Sequence, residues 1–241
     1  MKHNTALITG GAKRIGRKIA LLLASRGYDL VISYNKSKQE AKELAAEISK
    51  KFQVKCDIFQ ADLRDEKQAK RLAEFVKINS ANWSLLINNA SIFTKSNFLT
   101  APDSELSDNL NLHFISPLIL AKEFAKNSPK NGQIINITDK NIARYDTSYF
   151  YYLLSKKSLA ELTKMLALEL APSIRVNAIA PGFILDPIDH SETQNFIQKI
   201  PLQKKGETQN ILQAVDFLLN NHFVTGQILF IDGGASLNHA G

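Results

Sequence analysis

Sulfur is nearly missing from this chain, which has one cysteine, Cys56, and two methionines. A lone thiol excludes an internal disulfide and a cysteine-built metal site, and it suits a reducing compartment. Cys56 is expected as a small, at least half-buried residue, not a nucleophile, and no metal site is expected. No apolar run approaches the ~20 residues of a membrane span. The short polar start, Met1 to Thr5, lacks the basic-then-apolar pattern of a secretion signal. These absences point to the cytoplasm and away from membranes. No low-complexity linker divides the 241 residues, so a hydrophobic content of 44% predicts a single domain over 1–241. Basic clusters interleaved with aromatics are absent too. The net charge of +7 is spread in pairs such as Lys50-Lys51, Lys156-Lys157 and Lys204-Lys205. Nucleic acid is therefore not an expected partner, whereas a small anionic one is compatible.

What is present is alternation. Thr5–Thr9 reads as a fully apolar strand of the kind buried on both faces of a parallel sheet. Helical spacing follows over Arg17–Arg26, stopped by Gly27. Strands at Tyr28–Tyr34, Val54–Gln60, Trp83–Asn88, Gly132–Thr138, Ile174–Ala180 and Gln227–Ile231 are separated by helical patterns. Those helices are expected at Lys36–Lys51, Asp65–Ile78, Ser104–Asn127 (one or two), Ser148–Leu170 and Thr208–Asn220. Such alternation predicts an α/β fold, a doubly wound Rossmann-type parallel sheet of about seven strands with helices on both faces. The polar, proline-marked stretch from Pro181 to Gly206 has no strong period, and a lid over the site is expected at about 183–206.

Gly10 and Gly16 bracket the first strand-to-helix turn. There, outward N–H groups and the positive helix end favour a pyrophosphate, and a Cβ would obstruct the approach of backbone to phosphate. After a buried strand and before a helix, the loop predicts a dinucleotide site. An acid at the end of the second strand would hydrogen-bond a ribose 2′-hydroxyl. The sequence has none, offering Asn35, Lys36 and Ser37 instead, with Arg14 in the glycine loop. NADP(H) is expected over NAD(H).

Tyr152 and Lys156 lie four apart on a predicted helix, one turn from each other on one face. An ammonium ~4 Å from the phenol, at an effective dielectric of ~20, contributes about 4 kcal/mol. That would lower a phenol pKa of ~10 by roughly three units. A tyrosine so tuned exchanges protons near neutrality; the plainer alternative is an aromatic and a lysine on an amphipathic helix. Asp139 stands thirteen residues upstream, at the end of a predicted strand.

In order along nearly the whole length, the chain resembles the short-chain dehydrogenase/reductase family. Thr9-Gly10 to Gly16 is similar to its TGxxxGxG cofactor loop and Asn88-Asn89-Ala90 to its NNAG turn. Tyr152-x-x-x-Lys156 resembles its catalytic pair, and Asn177-Ala-Ile-Ala-Pro181-Gly182 the segment lining the nicotinamide. Three positions depart from the usual pattern. Arg14 replaces the middle glycine, Ser91 the final glycine of NNAG, and Asp139 the catalytic serine. Together these resemble the pteridine reductase branch, including dihydromonapterin reductases, in which an aromatic at the position of Phe93 stacks on the pterin ring.

The resemblance implies cofactor contacts from Gly10, Arg14, Ile15, Gly16, Asn35, Lys36, Ser37, Asp62, Leu63, Asn89, Ala90, Ser91, Tyr152, Lys156, Pro181, Gly182 and Ile184. It implies substrate contacts from Arg14, Ser91, Phe93, Asp139 and Tyr152, with Asp139, Tyr152 and Lys156 catalytic. A homotetramer is implied as well. His113 falls where many members carry the asparagine of a water relay, either to keep that relay or to pack beside the site. An aspartate cannot donate to a developing alkoxide as serine does, and its charge raises the Tyr152 pKa against Lys156. The combination favours a protonated Tyr152, suited to giving a proton to nitrogen as a pterin C=N bond is reduced. A carbonyl reductase of the 3-oxoacyl-thioester kind is the alternative.

Overall fold

The computed structural model describes residues 4–80, 82–184 and 197–238. Seven strands form one parallel sheet: β1 (Thr5–Ile8), β2 (Asp29–Tyr34), β3 (Cys56–Gln60), β4 (Trp83–Asn88), β5 (Gly132–Ile137), β6 (Ile174–Pro181) and β7 (Ile228–Ile231). Their order is β3-β2-β1-β4-β5-β6-β7. Chain order reverses between β1 and β4, so their carboxyl ends open a crevice at the switch point.

Alternation of side chains across β1 explains the two covering layers. Ala6 and Ile8 point to one face and pack with Ile19 and Leu23 of α1 (Arg14–Ser25), Leu44 and Ile48 of α2 (Lys38–Phe52), and Ile211 and Val215 of Thr208–Asn220. Leu7 points the other way. It joins Leu72 and Val76 of α3 (Glu66–Asn79) and Leu120 and Phe124 of Ser116–Asn127. Each such side chain, fully buried, contributes about 1.5–3 kcal/mol relative to exposure. The expected fold class is therefore the one observed, with element ends shifted by at most three residues. The first helix, expected from Arg17, starts at Arg14, because the glycine loop turns directly into it.

The expected segment Ser104–Asn127 runs as α4 (Asp103–Leu110), a single π turn over Asn111–Ile115, and α5 (Ser116–Asn127). The wider turn carries His113 inward, where it is 1% exposed. Such turns inside helices are frequent at functional sites. The long α6 (Phe150–Glu169) crosses from the site to β6, and α7 (Thr208–Asn220) precedes β7. Most of the segment expected as a lid, 185–196, lies outside the described residues. Its two flanks meet where Gly206 N–H donates to the Phe183 carbonyl at 3.0 Å.

Candidate active site

A cleft of about 1880 Å³ runs along the carboxyl ends of the strands. Every residue implied above for cofactor, substrate or catalysis lines it, from Gly10 to Ile184. The sheet thus gathers onto one surface residues that the sequence separates by up to 174 positions (Ile184 minus Gly10).

At the end beside β1–β3, main chain predominates. The Thr9 hydroxyl accepts from the N–H groups of Asn89 (2.9 Å) and Ala90 (3.0 Å). The Asn89 amide donates to the carbonyls of Thr9 (2.9 Å) and Gly10 (3.1 Å). This brace ties the turn after β4 to the turn after β1 and leaves the Asn89 side chain little freedom for anything else. Gly16 is required by close approach: a Cβ there would sit 2.6 Å from both Asn89 Nδ2 and the Gly10 carbonyl. Arg14 holds φ +52°, the left-handed region, where a non-glycine residue costs about 1–2 kcal/mol. A glycine would remove that cost, so the arginine is held there against its own backbone preference, exposed at the cleft.

The donor set at this end fits an anionic dinucleotide. No side chain caps the first turn of α1 and no acid stands in it, so its N–H groups face the cleft's polar end. Ser37 is the N-cap of α2, yet its hydroxyl makes no capping bond. Lys36 and Asn35 are exposed beside it on the cleft wall. Lys13, by contrast, pairs with Glu40 and is committed. Asp62 is also engaged: Arg64 grips it through Nη2 (2.6 Å) and Nε (3.0 Å) and reaches Asp108 at 2.9 Å. The guanidinium holds the Asp62 carboxyl below its usual range. The sequence reading did not single out Arg64, although it stands only two residues after Asp62; α4 brings Asp108 to its other side.

At the other end lie ionisable side chains. Asp139 follows β5 and caps a short 3-10 turn (Lys140–Ala143), accepting Asn141 N–H at 2.7 Å through Oδ1. Its Oδ2 accepts the Tyr152 hydroxyl at 2.8 Å. Lys156, 2% exposed, donates to the Ile137 carbonyl at 2.9 Å, and its ammonium sits 5.8 Å from the Tyr152 ring centroid. Burial lowers the Lys156 pKa to about 8, with Asp139 opposing.

Of the two opposed influences expected on the phenol, the raising by Asp139 is observed and the lowering by Lys156 is not. The Tyr152 pKa is raised well above 10.0, by burial first and then by the charge and hydrogen bond of Asp139; a Ser91 hydroxyl within reach opposes them weakly. Lys156 gives its bond to a carbonyl, not to the phenol oxygen. Tyr152 keeps its proton at neutral pH and donates it to Asp139 as a hydrogen bond.

Phe93 is 58% exposed at the mouth. One of its faces stacks on Tyr149 (4.3 Å between centroids, 16° between planes), and the Tyr152 ring meets it at 4.8 Å and 86°. Tyr149 was not foreseen. Its spacing of three from Tyr152 at a helix start was the available signal. His113 lies edge-on to Tyr152 at 5.5 Å. It bridges Ser91 Oγ (Nε2, 2.9 Å) and Ser155 Oγ (Nδ1, 2.8 Å).

These features agree with the relatives of the chain. A family model described as enoyl-(acyl carrier protein) reductase matches residues 10–236. The oxidoreductase YmfI of Bacillus subtilis is 32% identical, with 96% of this chain and 98% of YmfI covered. The 3-oxoacyl-[acyl-carrier-protein] reductase FabG of Staphylococcus epidermidis gives the same identity and coverage. Among solved structures, FolM alternative dihydrofolate reductase 1 from Brucella canis, complexed with NADP, superposes with a TM-score of 0.91 at 33% identity, covering 99% of this chain and 96% of that one. With the fold, the glycine loop and the Tyr152–Lys156 pair all in family order, the chain belongs to the short-chain dehydrogenase/reductase family.

Proposed function

We propose that this protein is an NADPH-dependent reductase of a C=N bond in a pterin-type heterocycle. The observation that carries the reading is the Asp139 carboxylate bound to the Tyr152 hydroxyl. It removes the neutral donor that carbonyl reduction uses and keeps the phenol protonated.

The cofactor's phosphates would be held by the N–H groups of the glycine loop and α1, and its 2′-phosphate by Arg14, Lys36 and Ser37. Asn35, Asp62, Leu63, Asn89, Ala90, Pro181, Gly182 and Ile184 would complete that surface, with Lys156 near the nicotinamide ribose. When bound, the reduced nicotinamide supplies the hydride. As hydride reaches the carbon and negative charge gathers on the substrate nitrogen, Tyr152 would give its proton to that nitrogen, and the tyrosinate left behind, disfavoured by burial and Asp139, is at once reprotonated. Asp139 orients the phenol, and Lys156 then resupplies the proton through water. Arg14, Ser91 and Phe93 hold the flat ring, with Tyr149 backing Phe93 from its far side. The FolM likeness supports the pterin reading, and the NADP in that crystal supports the cofactor.

A second reading, reduction of a 3-oxoacyl thioester, is favoured by the FabG relatives. NADPH oxidation measured against a panel of dihydropterins and acetoacetyl thioesters separates the two. Turnover of a pterin is expected, and turnover of thioesters alone would sink the first reading.

The chain further works, in this proposal, as one domain in the cytoplasm, with a lid near 183–206. It assembles as a homotetramer through α6, whose exposed face carries Met165 (69%) and Leu168 (84%), and through β7 at the sheet edge.

A further inference from the structure

The imidazole of His113 is clamped at both nitrogens, and its partners decide which one carries the hydrogen. Ser155 Oγ gives its own hydrogen to the Tyr152 carbonyl at 2.7 Å, so it can only accept from Nδ1. On the other side, Ile92 N–H points at Nε2 from 3.4 Å. Nδ1 therefore carries the hydrogen and Nε2 the lone pair. A flipped ring would place carbons against both polar groups and forfeit both bonds. The ring is also held neutral, because burial and then the nearby Lys156 charge push its pKa well below 6.5.

Ser91 faces this lone pair. Its Oγ lies 2.9 Å from Nε2 and 3.1 Å from the Ile92 carbonyl, so both inward partners are acceptors. The Ser91 hydrogen is drawn inward, while the residue is exposed on the cleft wall. The Tyr152 oxygen is a further neighbour within its reach inside the site, so toward a ligand the Ser91 hydroxyl presents its lone pairs. Nearby, Asp139 offers a second acceptor and the Tyr152 hydroxyl is committed to it. Inward from His113 the chain stops, since Ser155 is fully buried and ends on a carbonyl. A proton relay through His113 therefore has no outlet.

We infer that His113 is a positioning residue that fixes the Ser91 hydroxyl as a hydrogen-bond acceptor toward the cleft, so that the site favours a substrate presenting an N–H donor there. The inference rests on the pterin-type reading and narrows it. An amino-oxo heterocycle has ring and exocyclic N–H groups to offer at that wall, whereas a 3-oxoacyl group offers only carbonyl oxygens and would meet acceptor against acceptor.

The test begins with the full chain carrying ¹⁵N-labelled histidine. Nitrogen NMR is expected to place a proton on Nδ1 of His113 and none on Nε2; an Nε2–H tautomer or an imidazolium overturns the inference. Kinetics supply the second arm, with a dihydropterin and its ring-N-methylated analogue. For the unmodified protein, methylation is expected to raise KM roughly fivefold to tenfold, the effect of one lost hydrogen bond. In Ser91→Ala that penalty should vanish. His113→Leu should raise KM for the parent ring with kcat little changed, and His113→Gln, which returns an acceptor near Ser91, should recover part of it. Equal methylation penalties in the unmodified protein and Ser91→Ala overturn the inference. Failure of every pterin to react would instead reject the proposed substrate class, leaving the tautomer measurement valid.

Discussion

Where β1, β2 and β3 end, main chain and glycine form the floor of the cleft and Arg14, Lys36 and the Asp62–Arg64 pair its rim; where β5 meets α6, it is built around three ionisable side chains. At the first end, tolerance is set by space. Gly16 has no room for a Cβ, and the Thr9–Asn89 brace fixes two turns with four hydrogen bonds. At the second end, tolerance is set by charge. Burial and Asp139 push the Tyr152 pKa up, while burial pulls Lys156 down to about 8. Substitutions at the first end should therefore change binding, and those at the second should change turnover.

The largest test of that division is Tyr152→Phe. Removing the proton donor should lower kcat about a thousandfold, within the usual range for general acid catalysis, with the NADPH Kd nearly unchanged by fluorescence titration. A parallel loss of NADPH binding would break the comparison. Asp139→Ser should lower turnover of a C=N substrate about a hundredfold in the same assay, and a gain of carbonyl reduction would sharpen the contrast. Gly16→Ala should act at the other end. Overpacking of about 1–3 kcal/mol weakens NADPH binding by roughly five- to 150-fold in Kd, with kcat at saturation largely kept.

Lys36→Glu should reduce the preference for NADPH over NADH by about tenfold in kcat/KM, the effect of losing one charge-assisted contact. A preference for NADH in the unmodified protein would remove the argument. The smallest effect is in pH. Lys156 is charged below about 8 and loses its proton above, so kcat/KM should fall as pH climbs past 8, no more steeply than tenfold per unit. A flat profile through that range would mean the lysine charge is not used.

Much of the first end could be read in the chain itself, because main-chain sites leave local signatures. A buried strand, Gly10 to Gly16 and a helix are contiguous, and the lack of an acid after β2 is a statement about three adjacent residues. The second end was legible only in part. Tyr152 and Lys156 are one helical turn apart, so their proximity follows from spacing. Asp139 comes to them by pairing of β5 with β6 and packing of α6, which spacing alone does not specify. The lowering of the phenol pKa expected from Lys156 failed for the same reason. Distance along a helix does not say that the ammonium turns to the Ile137 carbonyl.

Sequence by itself settled the alternation of strands and helices, the phosphate loop, the basic end of β2 and the family, since each depends on residues that are neighbours or evenly spaced. Tertiary structure alone decided that Lys156 turns to the Ile137 carbonyl, that Asp108 comes to Arg64, that Tyr149 stacks on Phe93, and that His113 turns inward on a π turn to hold Ser91. Burial and hydrogen-bond direction govern those outcomes. Both are properties of groups brought together from distant parts of the chain, and neither is written in the spacing of any one segment.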